Sequence, residues 1–330
     1  MQKKAFILIM LFMLSACGGT SNEDSITDDS DGNLTEGYVF NESLMNTPES
    51  VSMENCILLD GTTAECYKVT FNSNPVEHGP YCPETIDDIG GVGIYDGETN
   101  PGFQVMKREL WEAMEADGYD VVDDNNNINI VDPGAGGALD GSACLEATPD
   151  DNLTLTFLIP ATPKNATSNN TIDIVEHLGV SKDGIPITGH PPSATQGPQG
   201  MTASSDSAGI PAIDPCGGHI DPFGYYHLHF GSEEMENVLT ANELSDFVMC
   251  YNFVQSETDF IGYAKDGYPI YASKDQNDTI PENIDECQGH TSATADYPNG
   301  VYHYHVSNSS APNLPTCLKG VSAEDAFTYQ

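Results

Sequence analysis

The sequence is poor in cations. Lys and Arg together number 10 in 330 residues, against 51 Asp and Glu, and the formal net charge is −41. Such an acidic surface repels nucleic acids and anionic lipids, because proteins bind both largely through basic side chains. We therefore expect no nucleic-acid partner. The patterns Gly-x-Ser-x-Gly, His-Glu-x-x-His and the P-loop are also missing, so the usual signatures of acyl transfer, zinc proteolysis and nucleotide binding are absent.

Long apolar runs are missing as well, apart from one at the N-terminus. Lys3 and Lys4 precede an apolar stretch at 5–14, which is too short for a stable membrane span. The following Leu-Ser-Ala-Cys resembles a bacterial lipobox, so we predict a lipoprotein signal peptide at 1–16 and lipidation of Cys17. By resemblance to enterobacterial sorting, Gly18 after that cysteine favours the outer membrane, with the protein facing the periplasm or the cell surface. The lipid anchor would make the membrane a partner.

Residues 17–36 contain almost no apolar side chains and are rich in Asp, Glu, Ser and Asn. This composition predicts a flexible acidic tether between the anchor and the folded part. The folded part then comprises residues 37–150 and 151–330, which we predict to form one continuous domain.

Cys-x-x-Cys does not occur, which disfavours zinc-ribbon and thioredoxin-like folds. An even number of cysteines remains after Cys17, and in an exported chain this predicts disulfides, up to four. Cys56 and Cys66 lie symmetrically about Gly61, so we predict that they close a hairpin; the other pairings stay open. The disulfide candidates are Cys56, Cys66, Cys82, Cys144, Cys216, Cys250, Cys287 and Cys317.

Short β-branched runs separated by Gly and Pro predict a β-rich α+β fold stapled by disulfides. Helical spacing of apolar residues predicts two short helices, at 102–116 and at 241–252. Asp183-Gly184 and Asp266-Gly267 predict tight hairpin turns, which explain the neighbouring lysines better than a catalytic role does.

A further loop alternates Asp123, Asn125, Asn127 and Asn129, as in a calcium-binding loop. Ile128 stands where an EF-hand has Gly, and position twelve lacks its Glu. A polar hairpin turn is the preferred interpretation, with calcium as an alternative.

One pattern occurs twice, at 214–230 and at 285–306: Asp-x-Cys-x-Gly-His followed by Gly-x-Tyr-His-x-His. GVSKDGIPI at 179–187 and GYAKDGYPI at 262–270 precede the two occurrences. The copies, at about 179–230 and 262–306, therefore form an internal repeat of hairpin and His-x-His strand units. Six of the nine histidines lie at equivalent points: His219, His227, His229, His290, His303 and His305.

In an extended strand, His227 and His229 share one face while Tyr226 and Leu228 share the other. The second copy repeats this alternation. The aromatic and aliphatic face suits the core, so the histidine face is free to build a site. Two imidazoles on one face can chelate a transition metal, and the histidine after Cys-x-Gly supplies a third ligand in each copy. One shared site and two separate sites both remain open.

Neutral imidazole suits zinc, copper, iron and nickel, and export favours copper or zinc over iron. Asp214 and Asp285 occupy matching positions, where they would either orient an imidazole or cap a turn. The tyrosines beside the predicted ligands, which we group with these aspartates as neighbours of the site, are Tyr226, Tyr302 and Tyr304.

Three functions follow from this pattern. The leading hypothesis is an exported, membrane-anchored protein that binds copper or zinc. A metalloenzyme, hydrolytic or oxidative, would use the open position of a three-histidine site. A surface binding or structural module would instead bury hydrogen-bonded histidines, with a small-molecule or surface partner of unknown identity.

The segment GVYHYHV at 300–306 resembles the signature of the YHYH-domain family of bacterial exported proteins. GGVGIYDG at 90–97, DPCGGHIDPFGYYHLHF at 214–230 and IGYAKDGYPIYA at 261–272 extend the resemblance over about residues 55–320. The first copy departs from the signature, because Leu228 replaces its second tyrosine. The resemblance implies export and gives weight to the two His-x-His segments, but it supplies no reaction.

Overall fold

Strands dominate the computed structural model, which describes residues 37–74, 78–136, 141–196 and 207–330. These residues belong to one compact unit, and they contain only two short α-helices, α1 (Arg108–Ala116) and α2 (Met235–Ala241). The predicted β-rich α+β class with two short helices is confirmed. The predicted signal peptide, lipidated Cys17 and tether lie outside the described residues. Among the described residues, no helix is long and apolar enough to cross a membrane.

Nineteen strands connect these elements within the described residues. They are β1 (Ser50–Ile57), β2 (Thr63–Asn72), β3 (Val92–Tyr95), β4 (Gly102–Val105), β5 (Ile130–Val131), β6 (Ala143–Leu145), β7 (Thr154–Pro160), β8 (Asn165–Thr171), β9 (His177–Ser181), β10 (Pro186–Thr188), β11 (Gly209–Pro211), β12 (Gly218–Ile220), β13 (Tyr226–Leu228), β14 (Phe260–Ala264), β15 (Pro269–Tyr271), β16 (Gly289–Ser292), β17 (Val301–His305), β18 (Cys317–Gly320) and β19 (Phe327–Tyr329).

An eight-stranded sheet carries both histidine motifs. Its order is β12-β13-β10-β9-β14-β15-β17-β16, so the same arrangement of four strands runs outward from its centre in both directions. In each half, two antiparallel hairpins join through one parallel pair, β10 with β13 and β15 with β17. One histidine hairpin therefore lies at each end of the sheet.

The halves meet where β9 pairs antiparallel with β14. Val180 faces Tyr263 at the centre, flanked by the pairs Gly179–Ala264 and Ser181–Gly262. A Cβ on either glycine would lie within 2.3 Å of a carbonyl oxygen on the opposite strand. The Gly at the start of each Lys-Asp-Gly segment thus permits the close approach of the two halves.

Smaller sheets pack around this one. A four-stranded antiparallel sheet has the order β1-β2-β7-β19, and a parallel three-stranded sheet has the order β11-β6-β5. The pairs β18-β8 and β3-β4 complete the described strands. Alternate side chains of β7 enter the core beneath the four-stranded sheet, as its alternating sequence predicts.

The first predicted helix is right in its second half only. Helix α1 begins at Arg108, whereas Gly102–Val105 forms β4 and pairs with β3 along its whole length. Phe103 and Met106 fit a helical spacing, but the hairpin supplies the backbone hydrogen bonds of this segment. Trp111 on α1 is fully buried in the core, as its helical face predicts.

The second predicted helix is misplaced. Helix α2 ends at Ala241, where the prediction has it begin. The Glu243 amide donates to the Thr240 carbonyl and the Leu244 amide to the Leu239 carbonyl, while Glu243 has a φ of 61°. This is a Schellman ending, in which Glu takes the left-handed position that usually selects Gly. The sequence therefore carries no ordinary stop signal at this point.

The three predicted turns are confirmed. Gly61, Gly184 and Gly267 have φ values of 79°, 81° and 93° and connect antiparallel strands. The lysine in each Lys-Asp-Gly turn makes an ion pair with the other half: Lys265 with Glu176, and Lys182 with Asp259 at 3.8 Å. Lys182 also lies 3.1 Å from the buried Glu233. Both lysines thus have a structural role.

The polar loop after α1 forms a hairpin turn closed by a bridge between Val122 and Ile128. Asp123 accepts hydrogen bonds from the amides of Asn125 and Asn127, at 2.8 and 2.9 Å. The Asp123 carboxylate therefore stabilises the turn itself, which agrees with the preferred interpretation of this loop.

Four disulfides staple the described residues: Cys56–Cys66, Cys82–Cys144, Cys216–Cys250 and Cys287–Cys317. The predicted Cys56–Cys66 pair is confirmed. Cys216 and Cys287 occupy matching places in the two motifs, and each pairs with a cysteine about 30 residues further along the chain, at separations of 34 and 30. Each disulfide thereby ties the turn that precedes a candidate ligand to the surrounding core.

Candidate metal centres

Each histidine hairpin aligns two imidazoles across its strands and adds a third at its end. His219 on β12 pairs directly with His227 on β13, and His290 on β16 pairs directly with His303 on β17. His229 and His305 lie two residues further along, on the same face. Tyr226 and Leu228, on the opposite face, are buried in the core, as the alternation predicts.

We call the first cluster centre A; it consists of His219, His227 and His229. The Nε2 atoms of His227 and His229 lie 3.0 Å apart, and those of His229 and His219 lie 3.2 Å apart. Two imidazoles bound to one tetrahedral ion, with metal–nitrogen bonds of 2.0–2.1 Å, would place their nitrogens about 3.3 Å apart. The spacing in centre A therefore matches a shared metal ion.

We call the second cluster centre B; it consists of Asp275, His290, His303 and His305. The Nε2 atoms of His290 and His305 lie 3.2 Å apart. One carboxylate oxygen of Asp275 lies 3.3, 3.7 and 3.6 Å from the Nε2 atoms of His290, His303 and His305, respectively. Four ligand atoms thus converge on one small volume.

Backbone carbonyls determine which ring nitrogens carry protons. The Nδ1 atoms of His219 and His229 in centre A lie 3.1 and 2.5 Å from the carbonyl oxygens of Ala212 and Gly189. A carbonyl oxygen only accepts hydrogen bonds, so each Nδ1 bears the proton and each Nε2 presents a lone pair. Two lone pairs then face each other at 3.2 Å, where neither ring has a hydrogen to donate.

Centre B shows the same arrangement. His303 Nδ1 lies 3.0 Å from the carbonyl of Val301, and His305 Nδ1 lies 2.6 Å from that of Ala272. Their Nε2 atoms therefore also present lone pairs toward Asp275. The Nε2 of His303 is fully buried and has no hydrogen-bond partner among the described residues.

Burial favours the neutral form of five of the six imidazoles. It lowers the pKa of His219 and of His303 to about 4, and the pKa values of His227, His229 and His305 also lie below the ordinary value. Neutral imidazole is the form that binds metals, so no deprotonation has to precede binding near neutral pH.

The matching aspartates do not touch the imidazoles. The Asp214 carboxylate accepts hydrogen bonds from the amides of Cys216 and Gly218 and from the Tyr226 hydroxyl, at 2.9, 3.2 and 2.9 Å. Asp285 accepts the equivalent bonds in the second copy. Of the two alternatives for these residues, the turn-capping one describes the structure. The carboxylates fix the Cys-x-Gly-His turn, and the turn places the histidine.

The candidate tyrosines lie on the core side of the strands. Tyr302 donates to Asp285 as Tyr226 does to Asp214, while the Tyr304 hydroxyl donates to the buried Asp266 at 2.6 Å. Each of these three rings is turned away from the imidazole face of its strand. The three tyrosines pack against the hairpins on the core side and do not line either centre.

Asp275 is the site residue that the sequence analysis missed. It lies in the turn after β15, ten residues before the second motif begins, and it is one of 51 acidic residues. Nothing in its local pattern distinguishes it from the others. Asp221, its nearest counterpart in centre A, lies 3.6 Å from Nδ1 of His227, on the side of that ring away from the other imidazoles.

The surroundings of the two centres differ. Centre B borders a cleft of about 520 Å³, whose wall includes Asp275 and Tyr271. The Tyr271 ring packs edge-on against His303, with ring centroids 5.2 Å apart. Beside centre A, the gap lined by Tyr81, Leu145 and His219 has no room for a water molecule among the described residues.

Residues 156–281 match the family described as YHYH protein. The chain therefore carries a YHYH domain, as the resemblance of its motifs implied. The matched segment contains all of centre A and Asp275, and it ends before the second Cys-x-Gly-His motif. No curated protein and no solved structure matches the chain.

Proposed function

We propose that this protein binds two transition-metal ions, copper or zinc, one in centre A and one in centre B. The observation that carries the proposal is the pair His219 and His229. Their Nε2 lone pairs face each other at 3.2 Å, and both rings are held in that tautomer by backbone carbonyls. A cation between the two nitrogens turns this repulsion into attraction.

Hydrogen bonding among the histidines does not account for the cluster equally well. His227 is able to donate its Nε2 hydrogen to His229, 3.0 Å away, because its Nδ1 has no hydrogen-bond partner among the described residues. The lone pairs of His219 and His229 still oppose each other in that arrangement. Buried polar groups without partners destabilise a fold by about 1–3 kcal/mol each, so a bound ion also stabilises the protein.

The positions of the two clusters in the sheet support two separate ions rather than one shared ion. The clusters are built on opposite ends of the eight-stranded sheet, with β13, β10, β9, β14, β15 and β17 forming its interior. The shared strand order, the central β9–β14 register and the matching disulfides support the interpretation that the site is built twice by a repeated unit.

Export and membrane anchoring are part of the same proposal. The lipobox-like sequence before Cys17 supports an outer-membrane lipoprotein. Four disulfides support an oxidising compartment, because cytosolic thiols are kept reduced. Both ions would then be bound in the periplasm or at the cell surface.

A metalloenzyme is the second candidate function, and the cleft beside centre B favours it. Catalytic metals need a coordination position that a substrate can reach, and enzyme sites usually lie in clefts. Three imidazoles with a carboxylate leave such a position on an ion that takes five ligands. Zinc would polarise a substrate carbonyl or phosphoryl oxygen, whereas copper would supply redox chemistry.

Elemental analysis of the full chain, purified in detergent without a histidine tag, tests the main proposal. We expect about two equivalents of copper or zinc in the wild type, and about one in His219→Ala/His229→Ala or in His303→Ala/His305→Ala. Circular dichroism should confirm that both variants fold. No bound metal in the wild type, even after reconstitution with copper and with zinc, would contradict the proposal and favour a disulfide-stapled structural module.

A further inference from the structure

A cleft beside centre B distinguishes it from centre A among the described residues. The cleft beside centre B is lined by Lys182, Asp259, Tyr271, Asp275, Thr294 and Asp296, among others. Asp275 is both part of this wall and 3.3–3.7 Å from three imidazole nitrogens. A cation in the cleft therefore meets one carboxylate that already belongs to the metal centre.

The charge in the cleft favours a cation. Its two lysines are occupied: Lys182 lies 3.1 Å from Glu233, and Lys274 lies 2.7 Å from Glu257 and 3.1 Å from Asp278. The carboxylates of Asp275 and Asp296 remain without a lysine partner among the described residues. Like charges gathered around a concave surface raise the local concentration of counter-ions.

A buried, unpartnered nitrogen lies at the inner end of this path. The Nε2 of His303 has no hydrogen-bond partner among the described residues, and the side chain is fully buried, 3.7 Å from Asp275. The half-buried Asp275 carboxylate therefore connects the cleft with the centre, because it lines the cleft and lies 3.7 Å from this nitrogen. Asp275 also compensates part of the charge of a divalent ion.

In the described part of the chain, centre A lacks a carboxylate among its Nε2 atoms, and the gap beside it is too small for a water molecule. His227 and His229, at 2 % and 0 % exposed, are as buried as His305 and His303 of centre B at 3 % and 0 %, so the centres differ in the gap beside the partly buried His219, which excludes water. Asp221 lies on the Nδ1 side of His227 rather than among the Nε2 atoms. An ion in centre A would therefore be held by three neutral imidazoles, two fully buried and His219 partly buried, and its release requires the residues around the water-excluding gap to move apart.

We infer that centre B exchanges a divalent ion with solvent through the cleft, whereas centre A holds a resident ion that leaves only when the fold opens. This inference rests on the proposed function and assigns a different role to each centre. Centre A stabilises its half of the sheet, and centre B serves as the site of metal uptake and release.

Metal transfer to a chromophoric chelator tests the inference. The full chain, loaded with two equivalents of zinc, is mixed with excess 4-(2-pyridylazo)resorcinol in a stopped-flow instrument. We expect two phases of equal amplitude, with rates that differ at least tenfold. Asp275→Ala should remove or further accelerate the fast phase only, and His219→Ala should change the slow phase only.

A blocked cleft provides a test that leaves every ligand in place. Ala295 is exposed and lines the cleft, so Ala295→Trp should slow the fast phase at least several-fold while both amplitudes stay unchanged. Ala293→Trp is the matched control, because Ala293 is also exposed but does not line the cleft. We expect this control to leave both rates unaltered.

The possible failures are distinguishable. Two bound ions that leave at one rate, or a fast phase that responds to His219→Ala but not to Asp275→Ala, would overturn the exchange inference and leave the proposed function intact. An unchanged fast phase in Ala295→Trp would overturn the role of the cleft. A chain that never binds zinc or copper would overturn the proposed function itself.

Discussion

Centres A and B are built on two hairpins of the same kind, yet these hairpins occupy different environments. In both, a Cys-x-Gly-His turn, held by an aspartate and a disulfide, places one histidine opposite a His-x-His strand. Among the described residues, only centre B has a carboxylate among its candidate ligand atoms, and a cleft lies beside it. The hairpin therefore determines where the imidazoles point, while the surrounding loops determine the charge beside them and the size of the neighbouring cleft.

Removal of the disulfides should produce the largest effect, and an equal one in both halves. Cys216→Ser/Cys250→Ser and Cys287→Ser/Cys317→Ser open loops of similar length, so each should lower the free energy of unfolding by about 4 kcal/mol. Urea unfolding measures this loss, and elemental analysis should show that each variant loses metal from its own centre. Retention of both ions in both variants would show that the turns keep their shape without the disulfides.

Asp275 and Asp221 should differ in their importance for metal binding. Asp275→Asn removes a proposed ligand from centre B, whereas Asp221→Asn removes only a neighbour of His227 in centre A. Loss of an outer partner typically lowers metal affinity about 10–100-fold, and we expect a larger loss for Asp275→Asn. Competition titrations with a chelator of known affinity measure both. Equal losses would mean that Asp275 is not a ligand.

Asp214 and Asp285 should give stability profiles of opposite slope in metal-free protein. Burial raises the pKa of Asp214 to about 6, so the folded state binds this proton more tightly than the unfolded chain does. Stability from this group is therefore greatest below about pH 4 and falls by roughly 2–3 kcal/mol as the pH rises to about 6.

For Asp285, burial raises the pKa, but the bonds from Lys319 and Gly289 outweigh it and the pKa is lowered. The contribution of Asp285 to the free energy of unfolding is therefore lost as the pH falls through the pKa of this carboxyl in the folded protein. Urea unfolding between pH 3 and pH 8 measures both effects. Asp214→Asn should remove the loss of stability with rising pH, and Asp285→Asn should remove the loss of stability with falling pH. Identical profiles for the two variants would contradict the assignment.

Tyr304→Phe should have the smallest effect, and one confined to stability. The Tyr304 hydroxyl donates to buried Asp266 and accepts from the Lys319 amide at 2.7 Å, so its loss should cost about 1–2 kcal/mol. Leu228→Met, at the matching position of the first copy, is the control and should cost less. Thermal unfolding measures both. Loss of metal from Tyr304→Phe would place this tyrosine in the chemistry of centre B.

Local patterns predicted much of the fold and most of the candidate site. Alternation along a strand placed His227 and His229 on one face, and Asp-Gly pairs marked the turns that the structure contains. These features depend on residues a few positions apart, where backbone geometry leaves little choice. The ending of α2 was missed because Glu243 takes a backbone conformation that its side chain does not favour.

Local sequence patterns establish which face of each strand carries imidazoles, where the hairpins turn and that the cysteines pair. The pairing of distant strands brings the histidines into two clusters, adds Asp275 to one of them and, in the described part of the chain, leaves a cleft beside that cluster. Distance along the chain explains this division. Asp275 and His303 are brought within 3.7 Å by the pairing of separate strands, which no local pattern encodes.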